Sequence, residues 1–207
     1  YGTQHWWPGA TNPFEVCVGA ILTQSTAWTN VEKAMEKLKN AGALTLEGIH
    51  LTPVEELAEL VHSSGYFNVK ARKLKALSHH VYDHHNGDLL TMLAQPWEAL
   101  RAELLSVYGI GEETADDIVL YAAGAPSFVS DAYTKRIVDR LGIQPAKDRY
   151  ESYRELFMGV LEADVPRFNE YHALIVKLGK DVCKKSKPLC QECPLVDICV
   201  AGSGEVL

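Results

Sequence analysis

Four cysteines, Cys183, Cys190, Cys193 and Cys199, lie near the C-terminal end at the spacing C-x6-C-x2-C-x5-C. No other feature limits the fold as tightly, because four thiols within 17 residues can be accommodated in few ways. Soft sulfur donors select zinc, copper(I) or an iron–sulfur cluster. Structural zinc generally takes two close ligand pairs, whereas only Cys190 and Cys193 form such a pair here. The longer outer intervals suit the four corners of a [4Fe–4S] cube better than the shell of one small ion. A disulfide framework is the competing reading, disfavoured by the odd total of five cysteines and the lack of a secretory leader. The fifth, Cys17, sits in an apolar stretch and is expected as a buried thiol.

A chain of 207 residues with 47% hydrophobic content has enough apolar material for one large domain or two small lobes. No apolar run approaches the ~18 residues of a membrane span, and no charged-then-apolar leader opens the chain. The expectation is a soluble, cytoplasmic protein without membrane contact. Its start at Tyr1, without a methionine, suits processing or truncation. The net charge of −7 opposes bulk attraction to nucleic acid but leaves room for a local basic face.

Periodicity and punctuation are helical. Asn12-Pro13-Phe14-Glu15 places a cap, a first-turn proline and an acid at the third helical position before an apolar run to Leu22. Thr52-Pro53-Val54-Glu55 repeats the signal and predicts a helix to about His62. Further helices are predicted over 31–38, 69–82, 97–107, 114–123, 133–141, 150–161 and 168–180, with glycines 42, 65, 87, 124 and 142 at their C-caps. No strand or internal repeat is read, so the fold class is all-α. The histidine pairs His79-His80 and His84-His85 have helical spacing compatible with a metal. With Asp83 the only nearby carboxylate, they are read as a solvated face.

Residues 104–115 run Leu-Leu-Ser-Val-Tyr-Gly-Ile-Gly-Glu-Glu-Thr-Ala. Two helices joined through Gly109 and Gly111 make a turn too tight for side chains, with Ile110 plugging back between them. The N–H groups at the second helix start, near Thr114, would then form a small phosphate site. An ordinary helix–helix turn is the plain alternative. Asp131 follows 17 residues after Thr114, within Ser130-Asp131-Ala132-Tyr133-Thr134-Lys135-Arg136. By itself it reads as a helix N-cap.

Hairpin, aspartate and cysteine loop occur in the order found in helix-hairpin-helix DNA glycosylases, and the chain resembles the endonuclease III superfamily from about Asn12 to Cys199. The resemblance implies two helical lobes: a six-helix barrel over 20–126, and a second lobe joining 1–19 to 127–207. It implies a [4Fe–4S] cluster on the four cysteines, Asp131 as catalytic carboxylate, and double-stranded DNA lying across a cleft with a damaged nucleotide flipped out. The protein is expected to act as a monomer. Gln24 matches the position that fills the gap left by the flipped nucleotide. Gly109, Ile110, Gly111, Thr114, Lys135 and Arg136 would touch the DNA backbone, with Lys184, Lys185 and Lys187 as further phosphate contacts.

Bifunctional members of the family use a hairpin lysine to form a Schiff base with the sugar. Glu113 stands in that position, so a hydrolytic enzyme without efficient lyase activity is expected. Adenine-specific relatives need a protonating glutamate where this chain has Gly19. An N-alkylated purine already carries positive charge and needs no such help. Trp6-Trp7-Pro8 and Trp28 are candidate walls for a cationic base, through stacking and cation–π attraction. Lys177 and Lys180 are candidate pocket lysines. These features resemble the 3-methyladenine DNA glycosylase branch. Mismatch thymine or uracil removal, and a non-catalytic iron–sulfur DNA-binding role, are the alternatives.

Overall fold

The computed structural model describes residues 1–203; their regular structure is helical, with no strand among them. No helix among the described residues is long and apolar enough to cross a membrane. The chain forms two compact units, Gly9–Ala125 and the pair Tyr1–Pro8 with Pro126–Leu207. A division at residue 19/20 would cut a continuous helix. The chain instead changes unit at Gly9, so residues 9–19 belong with the segment that follows them.

Within Gly9–Ala125 the central element is α1 (Pro13–Leu22), buried from Phe14 to Leu22. Its start follows from the sequence: Asn12 Oδ1 accepts from Glu15 N at 3.1 Å, while the Glu15 carboxylate accepts from Thr11 N and Asn12 Nδ2. This reciprocal capping satisfies the first-turn N–H of Glu15 and ties its carboxylate to the residues before the helix. At the other end Lys70, 2% exposed, donates to Leu22 O at 2.9 Å and Ser64 O at 2.6 Å. Burial, with Lys73 nearby, pulls the Lys70 ammonium down to about 8. Cys17 is fully buried, and burial pushes its thiol up to about 12, so it is an inert core residue.

Around α1 pack α2 (Trp28–Asn40), α5 (Phe67–His85) and α8 (Glu112–Asp117), the last continuing through a π turn at Ile118–Ala122. The short helices α3 (Leu46–Leu51), α4 (Val54–Leu60) and α6 (Leu89–Leu93) complete the unit with α7 (Trp97–Ser106). Neither α3 nor α6 was expected, since five or six residues are too few to show a period. Thr52 also departs from expectation: its hydroxyl donates back to Gly48 O at 2.7 Å and closes α3, leaving Pro53 as the cap of α4.

The other unit contains α9 (Ala132–Arg140), α10 (Tyr150–Met158), α11 (Val165–Asp181) and the four-residue α12 (Val200–Ser203). Phe128 stacks on Phe157 at 4.1 Å between ring centroids and meets Phe168 edge-on at 5.5 Å, forming its aromatic core. Helices α9 and α11 pack directly on each other, and α11 runs on into the cysteine loop.

Candidate functional site

Asp131 is the N-cap of α9. Its Oδ1 accepts from Thr134 N at 2.8 Å and from Thr134 Oγ1 at 3.0 Å. His172 on α11, buried, places Nε2 3.7 Å from Oδ2. The Asp131 side chain is only 13% exposed, and burial alone would raise its pKa. The contact with His172 and the two Thr134 bonds outweigh that penalty, holding the carboxyl below its ordinary value. A largely buried group that stays ionised is what charge stabilisation in a water-poor site requires. Thr134 thus occupies Oδ1, while Oδ2 is turned toward His172.

Trp6 lies edge-on to His172, ring centroids 6.1 Å apart, so the first tryptophan of the Trp6-Trp7-Pro8 stretch sits beside the aspartate's partner. Asn169 Nδ2 donates to Trp6 O at 2.9 Å and anchors the segment to α11. The Trp6 indole Nε1 is buried without a hydrogen-bond partner. Orphaned buried donors are rare in folded proteins, which marks this one as a place where an incoming group could supply the acceptor. Trp7 packs against Trp6 edge to face, centroids 6.1 Å apart. Of the two candidate lysines, Lys180 places its ammonium 5.7 Å from the Trp6 ring. Lys177 pairs with Asp181 at 2.7 Å and lies 6.0 Å from the Tyr1 ring. His172 was not found from sequence, because a single histidine in an amphipathic helix carries no signal until its partner's position is known.

Lys135 and Arg136 take structural partners. Lys135 pairs with Asp148. Arg136 donates to Cys183 O and Gly179 O, both at 2.9 Å, and covers the Tyr133 ring. It thus caps the carbonyl end of α11.

In the Gly9–Ala125 unit, the hairpin joins α7 to α8 through Val107–Gly111. A bidentate pair, Arg101 Nε to Asp116 Oδ1 at 2.8 Å and Nη2 to Oδ2 at 3.1 Å, clamps the two helices, with Asp116 fully buried. Ile110, between the two glycines, is 5% exposed. Only Gly109 uses a left-handed backbone, φ +84°. Gly111 is extended, and nothing lies near the position a Cβ would take. The two glycines therefore differ in a testable way. Gly109→Ala would bring a Cβ to 2.3 Å from Lys73 Cγ in a strained conformation, and is expected to lower stability by about 1–2 kcal/mol. Gly111→Ala should leave the melting temperature nearly unchanged; thermal melts of both variants check this.

Gln24 is drawn into the same hairpin. Its Nε2 donates to Thr114 Oγ1 at 2.8 Å and Gly109 O at 3.2 Å, and its Oε1 accepts from Lys73 Nζ. Lys73, unnoticed in the sequence, has its ammonium pulled down by burial. Trp28, half-buried, begins α2 in this unit.

The four C-terminal cysteines line one cavity of about 60 Å³ with Arg140, Val182, Pro188 and Val196. None is in a disulfide. The framework around them is ordered: Leu189 N bonds Val182 O at 2.9 Å, Cys193 N bonds Cys190 O at 3.1 Å and Cys199 N bonds Val196 O at 3.2 Å. Arg140 was also missed. Its Nη1 donates to Cys183 Sγ at 3.2 Å and Lys184 O at 2.8 Å, and its Nη2 to Lys185 O at 3.1 Å. Arg140 thus places a positively charged donor beside one sulfur of the set. Tetrahedral zinc would draw sulfurs to roughly 3.8 Å of one another. No three of these sulfurs form a group within 4.8 Å, as the ligand atoms of His80, His85 and Glu103 do. A cube that places iron and sulfide between its thiolates fits such a spread set better.

The HhH-GPD superfamily of base excision DNA repair proteins matches residues 18–163. A candidate DNA repair glycosylase of Methanocaldococcus jannaschii is 43% identical over 202 residues, spanning 97% of this chain and 91% of the relative. A solved endonuclease III trapped as a covalent intermediate with DNA superposes with a TM-score of 0.81 at 27% identity, covering 94% of this chain and 86% of that one. The H. pylori 3-methyladenine DNA glycosylase bound to 1,N6-ethenoadenine superposes with a TM-score of 0.73 at 30% identity, covering 84% and 87%.

Proposed function

Because the chain belongs to the HhH-GPD superfamily of base excision DNA repair proteins, we propose that it is a hydrolytic DNA glycosylase that cuts the bond between a damaged base and its sugar without cutting the strand. The observation that carries this reading is Asp131, largely buried yet held ionised by Thr134 and His172. As the C1′–N bond lengthens, its electron pair leaves with the base and positive charge builds on the sugar. The Oδ2 side of Asp131 would stabilise that charge and orient a water whose oxygen then bonds to C1′, the water proton passing to the carboxylate or solvent. Glu113, exposed at the start of α8, offers no amine for a Schiff base.

The base we favour is an alkylated purine such as 3-methyladenine. Its support is the tryptophan pair beside the aspartate's partner and the likeness to the H. pylori 3-methyladenine enzyme. A second reading, removal of uracil or thymine, also has an observation behind it. A pyrimidine leaves as an anion with carbonyl acceptors, and the unpartnered Trp6 N–H and the Lys180 ammonium are donors of the kind such a group would use. Incubation with methylated DNA and, separately, with duplexes holding uracil or thymine opposite guanine, followed by chromatography of the free bases, separates them. Release of 3-methyladenine well above the pyrimidines supports the first reading; release of pyrimidines alone rejects it.

The cysteine loop is proposed to hold a [4Fe–4S] cluster on Cys183, Cys190, Cys193 and Cys199. When bound, it supplies four iron–thiolate bonds that tie residues 183–199 into one rigid module. The role fits a structural support for the end of α11, while the bond-breaking chemistry belongs to Asp131.

A further inference from the structure

On the Gly9–Ala125 unit, away from the cysteine loop in sequence, two histidines converge on one carboxylate oxygen. His80 Nε2 lies 2.7 Å and His85 Nε2 2.5 Å from Glu103 Oε1, and the three ligand atoms lie within 4.8 Å of one another. His80 and His85 come from the last turns of α5, whereas Glu103 comes from α7. The sequence offered Asp83 as the only nearby carboxylate, and the fold supplies Glu103 from a different helix.

The surroundings are arranged for that oxygen to face the histidines. Gln95 Nε2 donates to Glu103 Oε2 at 2.6 Å and to Met92 O at 3.0 Å, fixing the carboxylate's orientation. The His84 ring lies 4.4 Å from that of His80 and limits its rotation. Burial would raise the Glu103 pKa, but the hydrogen bonds from Gln95, His85 and His80 outweigh it and bring the carboxyl down to about 2. The three side chains are 13–19% exposed, sheltered yet within reach of ions and water.

We propose that His80, His85 and Glu103 form a binding site for a divalent d-block cation of the zinc class. Two imidazoles and one carboxylate are borderline donors suited to Zn²⁺, and three protein ligands leave positions for water. Gln95 supplies the outer hydrogen bond that orients a ligating carboxylate. A small opening of the two N–O contacts would admit the ion. Occupancy would cross-link the end of α5 to the last turn of α7, immediately before the hairpin begins at Val107, and so hold the hairpin's first helix in place.

The test uses the full chain with its cysteine loop loaded with iron, stripped of loosely held metal and titrated with Zn²⁺ alone. One zinc per chain is expected beyond the cluster, with a zinc absorption-edge spectrum showing a nitrogen and oxygen shell that includes imidazole and no sulfur. The melting temperature should rise by roughly 5 °C at saturating zinc. Glu103→Gln and His80→Gln, which keep hydrogen-bonding capacity, should weaken zinc binding about 100-fold while melting near the wild type in its absence. If His80→Gln proves poorly folded, Glu103→Gln and the edge spectrum of the wild type decide the matter. A sulfur shell, no zinc above background, or undiminished binding by Glu103→Gln would overturn the site.

Discussion

Asp131→Asn is expected to slow base release by about 10³-fold while leaving the protein folded and able to bind DNA. Asparagine is as good an N-cap as aspartate, and its amide oxygen can still accept from Thr134 N and Oγ1, so α9 keeps its start. Only the negative charge on the Oδ2 side is removed. Asp131→Ala would lose the cap as well and cost about 1 kcal/mol of stability, which makes the asparagine variant the cleaner probe. Single-turnover base release and DNA binding by fluorescence anisotropy, measured side by side, separate chemistry from affinity. The same carboxylate has a defined pH signature. Its pKa is lowered on folding, so its stabilising contribution is complete above the ordinary carboxylate value near 3.8 and is lost as pH falls through the lowered one. A loss of activity between about pH 7 and 5 would therefore have to come from another group.

The second large effect is expected at the cysteine loop. Cys193→Ser removes one corner of the proposed metal site, and metal binding by such a loop is part of its folding free energy. Iron content and the visible absorption of the cluster should fall close to zero. Amides of residues 183–203 should exchange with solvent rapidly, while Gly9–Ala125, a separate compact unit, keeps its protection. Arg140→Gln should give a milder version, because it removes the charged donor to Cys183 Sγ and the bonds to Lys184 O and Lys185 O but leaves all four ligands. Full iron content in Cys193→Ser would refute the assignment of that cysteine.

What the sequence made legible is what local chemistry dictates. The cap at Asn12 and Glu15 starts α1 as expected, and the glycines at 42, 65, 87, 124 and 142 all take positive φ at chain turns. Helix existence was readable wherever the apolar period ran for about ten residues, and failed at α3 and α6, where it could not. Asp131 and the four cysteines stood out as candidates because each belongs to a compact, ordered motif. Their supporting residues did not. His172, Arg140, Lys73 and Glu103 act on partners 18 to 49 residues away, and nothing in their own neighbourhoods announces it. Arg136 shows the converse case. A basic residue in the same motif as Asp131 invites a phosphate role, and the fold gives its guanidinium the carbonyls of Gly179 and Cys183 as partners. Charge in the sequence identifies a donor but not its acceptor.

The central claim is that the chain removes a base by hydrolysis through Asp131 and makes no covalent bond to the sugar. A single duplex carrying one end-labelled lesion measures this directly, by following free base, alkali-independent nicks and borohydride-trapped protein–DNA adduct in the same reaction. The account predicts base release in every turnover, strand breaks only after alkali, no trapped adduct, and loss of release in Asp131→Asn. Nicks and adduct appearing in step with base release would contradict it.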